Sequence, residues 1–168
     1  RQVAAVGDVL PVGALLGVVA DAEVPDAEID ALVADFQANV KPIEAAAAGG
    51  PQPQVVQVQG RRVRYLAMGA GGDALLLLHG FGGDLNNWLF NQEPLAHERR
   101  VVAIDLPGHG ESDKRLDTGG VDEYAACVTH FMDAVEVGAA HFVGHSMGAA
   151  VALRIAADSA ARVRSLTL

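Results

Sequence analysis

The sequence predicts an α/β domain in which an open, mostly parallel sheet is covered by helices and preceded by a β-hairpin. Three observations carry that expectation. Three runs, Ala74-Leu75-Leu76-Leu77-Leu78, Arg100-Val101-Val102-Ala103-Ile104 and His141-Phe142-Val143, are apolar on both faces, as strands inside a helix-covered parallel sheet must be. Helical stretches near residues 88–96 and 121–137 lie between them, where crossovers belong. Each run also leads into a glycine-bearing polar loop, the place where an open α/β sheet carries its function. The composition agrees, because 51% hydrophobic residues with only 5% aromatic suits closely packed layers better than a disordered or fibrous chain.

Residues 1–20 read as short strands broken at Gly7-Asp8, Gly13 and Gly17, with Val9, Val12, Leu15, Leu16, Val18 and Val19 as strand material. After a connector at 21–25, a helix is expected with Asp26 as N-cap. Ile29, Leu32, Val33, Phe36 and Val40 form one apolar stripe, and Pro42 ends it. Such a helix either docks a partner or covers its own domain. Residues 44–53 combine four alanines, Gly49-Gly50 and two prolines, the composition of a linker. Three regions are therefore expected: 1–20, a helix and linker over 21–53, and 54–168. From Gln54, two alternating stretches meet at Gly60-Arg61 as a hairpin. Residues 163–168 begin a last strand.

Charge and composition narrow the function. The net charge is −9 and no basic cluster exceeds Arg61-Arg62 plus Arg64, which argues against a nucleic-acid partner. No run approaches the ~20 apolar residues of a membrane span. Residues 9–20, ending at Ala20-Asp21-Ala22, resemble a signal-peptide core and cleavage site. Asp8, Pro11 and the glycines stand against that reading, as does the single basic residue before the run. Cys127 is the only cysteine, which excludes an internal disulfide and fits a reducing, cytoplasmic setting. Its expected place is the buried face of a helix rather than a catalytic site. The first methionine is Met68 and the sequence stops inside an apolar run, so it reads as a fragment.

The chemistry lies in three loops expected at one edge of the sheet. Gly144-His145-Ser146-Met147-Gly148 joins an apolar strand to an Ala-rich helix. In that setting Gly-x-Ser-x-Gly is a nucleophile elbow, with the hydroxyl of Ser146 raised above the sheet and the Met147 N–H aimed at a developing oxyanion. The plainer alternative is a glycine-lined turn with a capping serine. His79-Gly80-Phe81-Gly82-Gly83 can bring the Phe81 N–H to the same space as a second oxyanion donor. Its alternative, a phosphate-binding loop, lacks both the Gly-x-Gly-x-x-Gly spacing and a following lysine. In Asp105-Leu106-Pro107-Gly108-His109-Gly110-Glu111-Ser112, Asp105 and His109 either form an acid and base or satisfy backbone groups in a cleft wall, the latter preferred. His79 is expected to order its loop. His145 is expected to point away from the face of Ser146, and His97, His130 and His141 have no such context.

These three loops, in this order, resemble the signature loops of the α/β-hydrolase superfamily over residues 54–168. The resemblance implies a triad running Ser, Asp or Glu, then His along the chain. It therefore places the acid and base beyond Leu168 and implies an inactive fragment with an unprotected, poorly soluble edge at residues 163–168. A second resemblance lies in Gly7-Asp8-x-Leu10-x-x-Gly13-x-x-Leu16-x-x-Val19, which is similar to the closing half of a lipoyl or biotinyl carrier domain. Its modified lysine would precede Arg1. A carrier domain, a linker and a hydrolase domain together are similar to the acetyltransferase components of acetoin dehydrogenase complexes, as is the continuation Phe81-Gly82-Gly83-Asp84-Leu85-Asn86-Asn87-Trp88. That likeness implies covalent lipoate, coenzyme A as co-substrate, a small acyl substrate and other complex subunits as partners, with no metal. Acetyl would pass from the lipoyl thioester through Ser146 to coenzyme A. An esterase-like serine hydrolase and a non-catalytic scaffold subunit remain as alternatives.

Overall fold

The computed structural model describes residues 1–5, 14–39 and 51–168, and the chain divides into two compact units, Arg1–Gly50 and Pro51–Leu168. In the first unit, Gln2 and Gly17 form an antiparallel bridge. The Val3 and Ala4 N–H groups donate to the Leu16 carbonyl at 3.0 and 3.1 Å, and the Val18 N–H donates to Arg1 O at 2.8 Å. Helix α1 (Asp26–Asn39) follows. Its first turn closes on the Pro25 carbonyl, which accepts from Glu28 and Ile29, so Asp26 is the first helical residue and not the cap. Ile29, Val33 and Phe36 are half-buried while Leu32 is exposed. The expected breaks at Gly7-Asp8 and Gly13, strand residues Val9 and Val12, and Val40, Pro42 and the linker at 44–50 lie outside the described residues.

The second unit opens with strands β1 (Gln54–Val58) and β2 (Arg61–Met68), paired antiparallel and closed by Val58 opposite Arg61. The two turn residues, Gln59 and Gly60, both have positive φ, 50° and 75°. That is the type I′ geometry whose twist matches the flanking strands. Strands β3 (Ala74–Leu78), β4 (Val101–Ile104), β5 (Ala140–Gly144) and β6 (Val163–Thr167) complete a six-stranded sheet of order β1-β2-β4-β3-β5-β6. Strand β2 joins β4 antiparallel, and β3 to β6 are parallel.

Helices on both faces explain the doubly apolar runs. Leu76, Leu78, Val102, Ile104 and Phe142 pack against α3 (Val121–Ala134) and α4 (Met147–Asp158), meeting Val128, Phe131, Val151 and Ile155. The alternate residues Leu75, Leu77, Val101 and Ala103 pack against Leu85, Trp88 and Ala96 on the other face. Full burial of each large aliphatic side chain contributes about 1.5–3 kcal/mol, so these two faces dominate the unit's stability.

Two helix ends differ from the sequence expectation. The segment expected from residue 88 begins earlier, as a 3-10 helix Leu85–Trp88 leading into α2 (Leu89–Leu95). The cause is Asp84, whose side chain accepts from the Asn86 N–H while the Asn87 side chain accepts from the Asp84 N–H at 2.8 Å, closing a capping box. Helix α3 stops at Ala134 instead of reaching 137. The Val137 N–H turns back to the Met132 carbonyl at 2.7 Å and the Glu136 N–H to Asp133 at 3.1 Å, with Glu136 at φ 57°. This is a Schellman stop with glutamate where glycine is usual.

Candidate active site

The parallel register sets the site. Leu78 lies opposite both Ile104 and Gly144, so β3, β4 and β5 end at one level and their three loops emerge side by side. The sequence expected one edge for all three, and the register supplies it.

At the end of β5 the chain reverses through Ser146 at φ 53°, ψ −111° and enters α4 at Met147. A non-glycine residue in this region carries roughly 1–3 kcal/mol of strain, held only by its surroundings. Those surroundings are backbone contacts that glycine alone permits. A β-carbon on Gly148 would sit 2.1 Å from the Leu78 carbonyl oxygen, and one on Gly144 would sit 2.6 Å from the Ala149 nitrogen. The strand end and the helix start are thus pressed onto β3 and onto each other. Ser146 is left exposed.

The Gly148, Ala149 and Ala150 N–H groups donate to the His145 and Ser146 carbonyls. Met147 is the first helical residue, a position whose N–H has no intrahelical acceptor. The loop after β3 abuts the elbow, since a β-carbon on Gly80 would lie 3.2 Å from the Ser146 Cβ. Among the described residues, no acceptor pairs with the Phe81 N–H, and the Phe81 ring is 85% exposed. The loop that carries Phe81 thus lies against the elbow that carries Ser146 and Met147.

His145 Nδ1 and the Ser146 Cβ both lie beside Gly80, 2.9 and 3.2 Å from where a β-carbon on it would sit. No described side chain forms a hydrogen bond with the Ser146 hydroxyl. His97 lies in the turn after α2. His130 pairs with Gln59 at 3.1 Å and His141 with the Ser165 hydroxyl at 2.7 Å, both on elements away from these loops.

The loop after β4 forms a wall. Asp105 is fully buried; its carboxylate accepts from the Leu85 N–H at 2.7 Å, the Glu111 N–H at 2.8 Å and the Arg64 guanidinium at 3.4 Å. The Ser112 hydroxyl donates to the Asp105 carbonyl and accepts from the Arg64 N–H. His109 bonds the Pro107 carbonyl through Nδ1 at 3.0 Å and packs among His79, the edge of Phe81 and Tyr124, with centroids 5.1, 5.7 and 6.2 Å away. Asp105 and His109 thus occupy the wall and satisfy backbone groups. The sequence offered no signal for Arg64, which sits on an ordinary alternating strand yet ties the hairpin to this wall. His79 is fully buried between the loops; its Nδ1 lies 2.7 Å from the Gly80 carbonyl and its Nε2 accepts from the Leu106 N–H at 3.0 Å. Burial holds its pKa below the usual imidazole value, against the opposing effect of the Gly80 carbonyl.

Comparison with known proteins follows this geometry. A family model described as the alpha/beta hydrolase fold matches residues 73–168. The whole chain is 52% identical to the dihydrolipoyllysine-residue acetyltransferase component of the acetoin cleaving system of Pseudomonas putida, covering 46% of that protein. It is also 52% identical over its whole length to the component of the same name from Cupriavidus necator, covering 45%. The chain thus spans less than half the length of these curated relatives. Among solved structures, a membrane phospholipase A described as a bacterial virulence factor is 39% identical with a TM-score of 0.67, over 70% of this chain and 38% of that one. Among the described residues, no helix is long and apolar enough to cross a membrane. With its sheet order, elbow and matched residues in agreement, the chain belongs to the α/β hydrolase fold family.

Proposed function

We propose that this chain works as part of a dihydrolipoyl acetyltransferase that moves an acetyl group from a lipoyl thioester to coenzyme A within an acetoin-cleaving complex. One observation carries the reading: the likeness to acetoin-system acetyltransferases runs over all 168 residues, whereas the hydrolase family model begins only at residue 73. Residues 1–20 then belong to a carrier domain and 21–53 to the helix and linker that tether it, with lipoate on a lysine preceding Arg1. The other subunits of the complex are its partners, and the setting is the cytoplasm.

In this reading the Ser146 hydroxyl adds to the thioester carbonyl and passes its proton to a histidine base. That base and its orienting acid follow the nucleophile in this family's chain order and are taken from sequence after residue 168. The Phe81 and Met147 N–H groups hold the oxyanion, each contributing about 2.7–4 kcal/mol to the transition state. Collapse breaks the C–S bond and releases the dihydrolipoyl sulfur, which takes the proton. The coenzyme A thiol then adds to the acyl-serine, gives its proton to the same base, and leaves as the acetyl thioester while Ser146 regains its hydrogen. The test is Ser146→Ala in the full-length protein, assayed for acetyl-coenzyme A formation from S-acetyldihydrolipoamide. A loss of roughly 10³-fold or more is expected, and an unchanged rate removes both the nucleophile and the catalytic reading.

The likeness to a phospholipase favours a second reading, in which water replaces the thiol. Mass spectrometry of the full-length protein from lipoate-making cells separates the two: a lipoylated lysine supports acetyl transfer, and an unmodified chain supports hydrolysis.

A further inference from the structure

We propose that Arg62, Lys114 and Arg115 receive the phosphates of coenzyme A, on the outer rim of the wall formed after β4. The inference rests on the acetyl-transfer reading and adds to it the recognition of the acceptor.

Topology puts these residues at the functional edge. Strand β2 runs antiparallel to β4, and Tyr65 lies opposite Ile104, the last residue of β4. Residues 61–64 therefore overhang the end from which the three loops emerge. The loop after β4 folds back against that overhang. The Asp113 N–H donates to Arg62 O at 2.9 Å, the Arg62 N–H donates to the Asp113 carboxylate at 2.7 Å, and the Gly108 N–H donates to Asp113 O at 2.8 Å. Lys114 reaches back along the loop, its ammonium donating to the Gly110 carbonyl. Beside Gly110 is His109, whose ring centroid is 5.7 Å from that of Phe81, and Phe81 follows the glycine that abuts Ser146. A continuous path of contacts thus links the serine loop to this rim.

The pairing of charges singles the three residues out. Asp117 and Glu123 hold Arg61 at 2.6 and 2.8 Å, and Glu111 and Asp105 hold Arg64 at 3.2 and 3.4 Å. The Asp113 carboxylate is engaged by the Arg62 backbone. Arg154, Arg162 and Arg164, elsewhere in the unit, each face an aspartate. Among the described residues, no carboxylate pairs with the side chains of Arg62, Lys114 or Arg115, and all three are exposed. In a chain of net charge −9, a polyanion is repelled except where cations stand uncompensated. Coenzyme A carries a diphosphate and a 3′-phosphate at the far end of a flexible arm from its thiol, and arginine and lysine are the side chains suited to such groups. A basic rim holds the phosphates in water while the arm brings the thiol to the acyl-serine.

The test uses the full-length protein with S-acetyldihydrolipoamide as donor and either coenzyme A or pantetheine as acceptor. Pantetheine has the same thiol arm without the phosphates. The triple variant Arg62→Gln, Lys114→Gln, Arg115→Gln should raise KM for coenzyme A about tenfold or more with kcat little changed, and leave KM for pantetheine where it was. Arg99→Gln, before β4 at the opposite edge, should move neither. An unaltered KM for coenzyme A overturns the inference. So does an equal rise for both acceptors, which marks a disturbed wall, or an equal rise in Arg99→Gln, which marks net charge alone. Equal rates for wild type and Ser146→Ala sink the underlying acetyl-transfer reading instead. If the triple variant does not fold, labelling of the wild type decides. Adenosine 3′,5′-bisphosphate should slow acetylation of Lys114 by an N-hydroxysuccinimide ester, read by mass spectrometry, and adenosine should not. A Lys114 labelled equally fast with either compound ends the proposal.

Discussion

Ser146 and Cys127 are both nucleophilic by composition, and their surroundings separate them. Ser146 is exposed on a strained turn. Cys127 is buried on α3, where loss of hydration pushes its thiol up to about 11, partly offset by Arg61. At pH 8 that leaves roughly a thousandth of it as thiolate, the only form that reacts. Native protein should therefore resist iodoacetamide at pH 8 and react as an ordinary thiol once unfolded in urea. Rapid labelling of the native chain would contradict this environment. The contrast was legible in sequence, because a cysteine at a helical core position and a serine between two glycines obey different local rules. The role of Asp105 was legible too: the sequence preferred a cleft wall that satisfies backbone groups over a catalytic acid, and its oxygens accept from Leu85, Glu111 and Arg64.

At the scale of elements, glycines mark where backbones touch and where they do not. Gly148→Ala would drive a β-carbon into the Leu78 carbonyl at the junction of α4 and β3. Overpacking of this kind costs about 1–3 kcal/mol, read as a lower urea midpoint. Gly138→Ala meets nothing within 4 Å and has no positive φ, so it should be neutral or stabilise by about 0.4–1 kcal/mol. Equal effects at the two positions would show that the contact at Gly148 is not closed in solution. Element identity was readable because each buried strand is apolar on both faces. Element ends were not. The stop of α3 uses Glu136 in a conformation that sequence rules assign to glycine, and the helix after β3 starts early because Asp84 and Asn87 cap each other. A left-handed backbone turn decides the one and side chains bonding to backbone the other, and hydrophobic periodicity carries no trace of either.

Over the whole second unit, Glu123 is a junction. It pairs with Arg61 of β2 at 2.8 Å and accepts from the Asp117, Thr118 and Gly119 N–H groups and the Thr118 hydroxyl, joining the hairpin, the loop before α3 and α3 itself. These donors, the Asp117 N–H foremost, hold its carboxyl at about 2 against an ordinary 4.5. The folded value is the lower one, so unfolding takes up a proton in this window. The stability Glu123 supplies is complete above about pH 4.5 and is lost as the pH falls towards 2. Urea midpoints between pH 5 and 2 should fall less steeply in Glu123→Gln than in wild type, and identical slopes would remove the junction. The fold class was plain in the sequence, yet this linkage was not, because Arg61 and Glu123 are 62 positions apart and neither belongs to a motif.

The strand order carries a consequence in time. Residues 54–68 can close as a hairpin as soon as they are made, but β2 meets β4 only after β3 has been synthesised, and β3 in turn lies between β4 and β5. Pairings this remote form slowly and late. The loop after β3, the wall and the serine become neighbours only when β5 docks. During synthesis the loops after β3 and β4 precede the serine, and the three come together only once β5 pairs with β3.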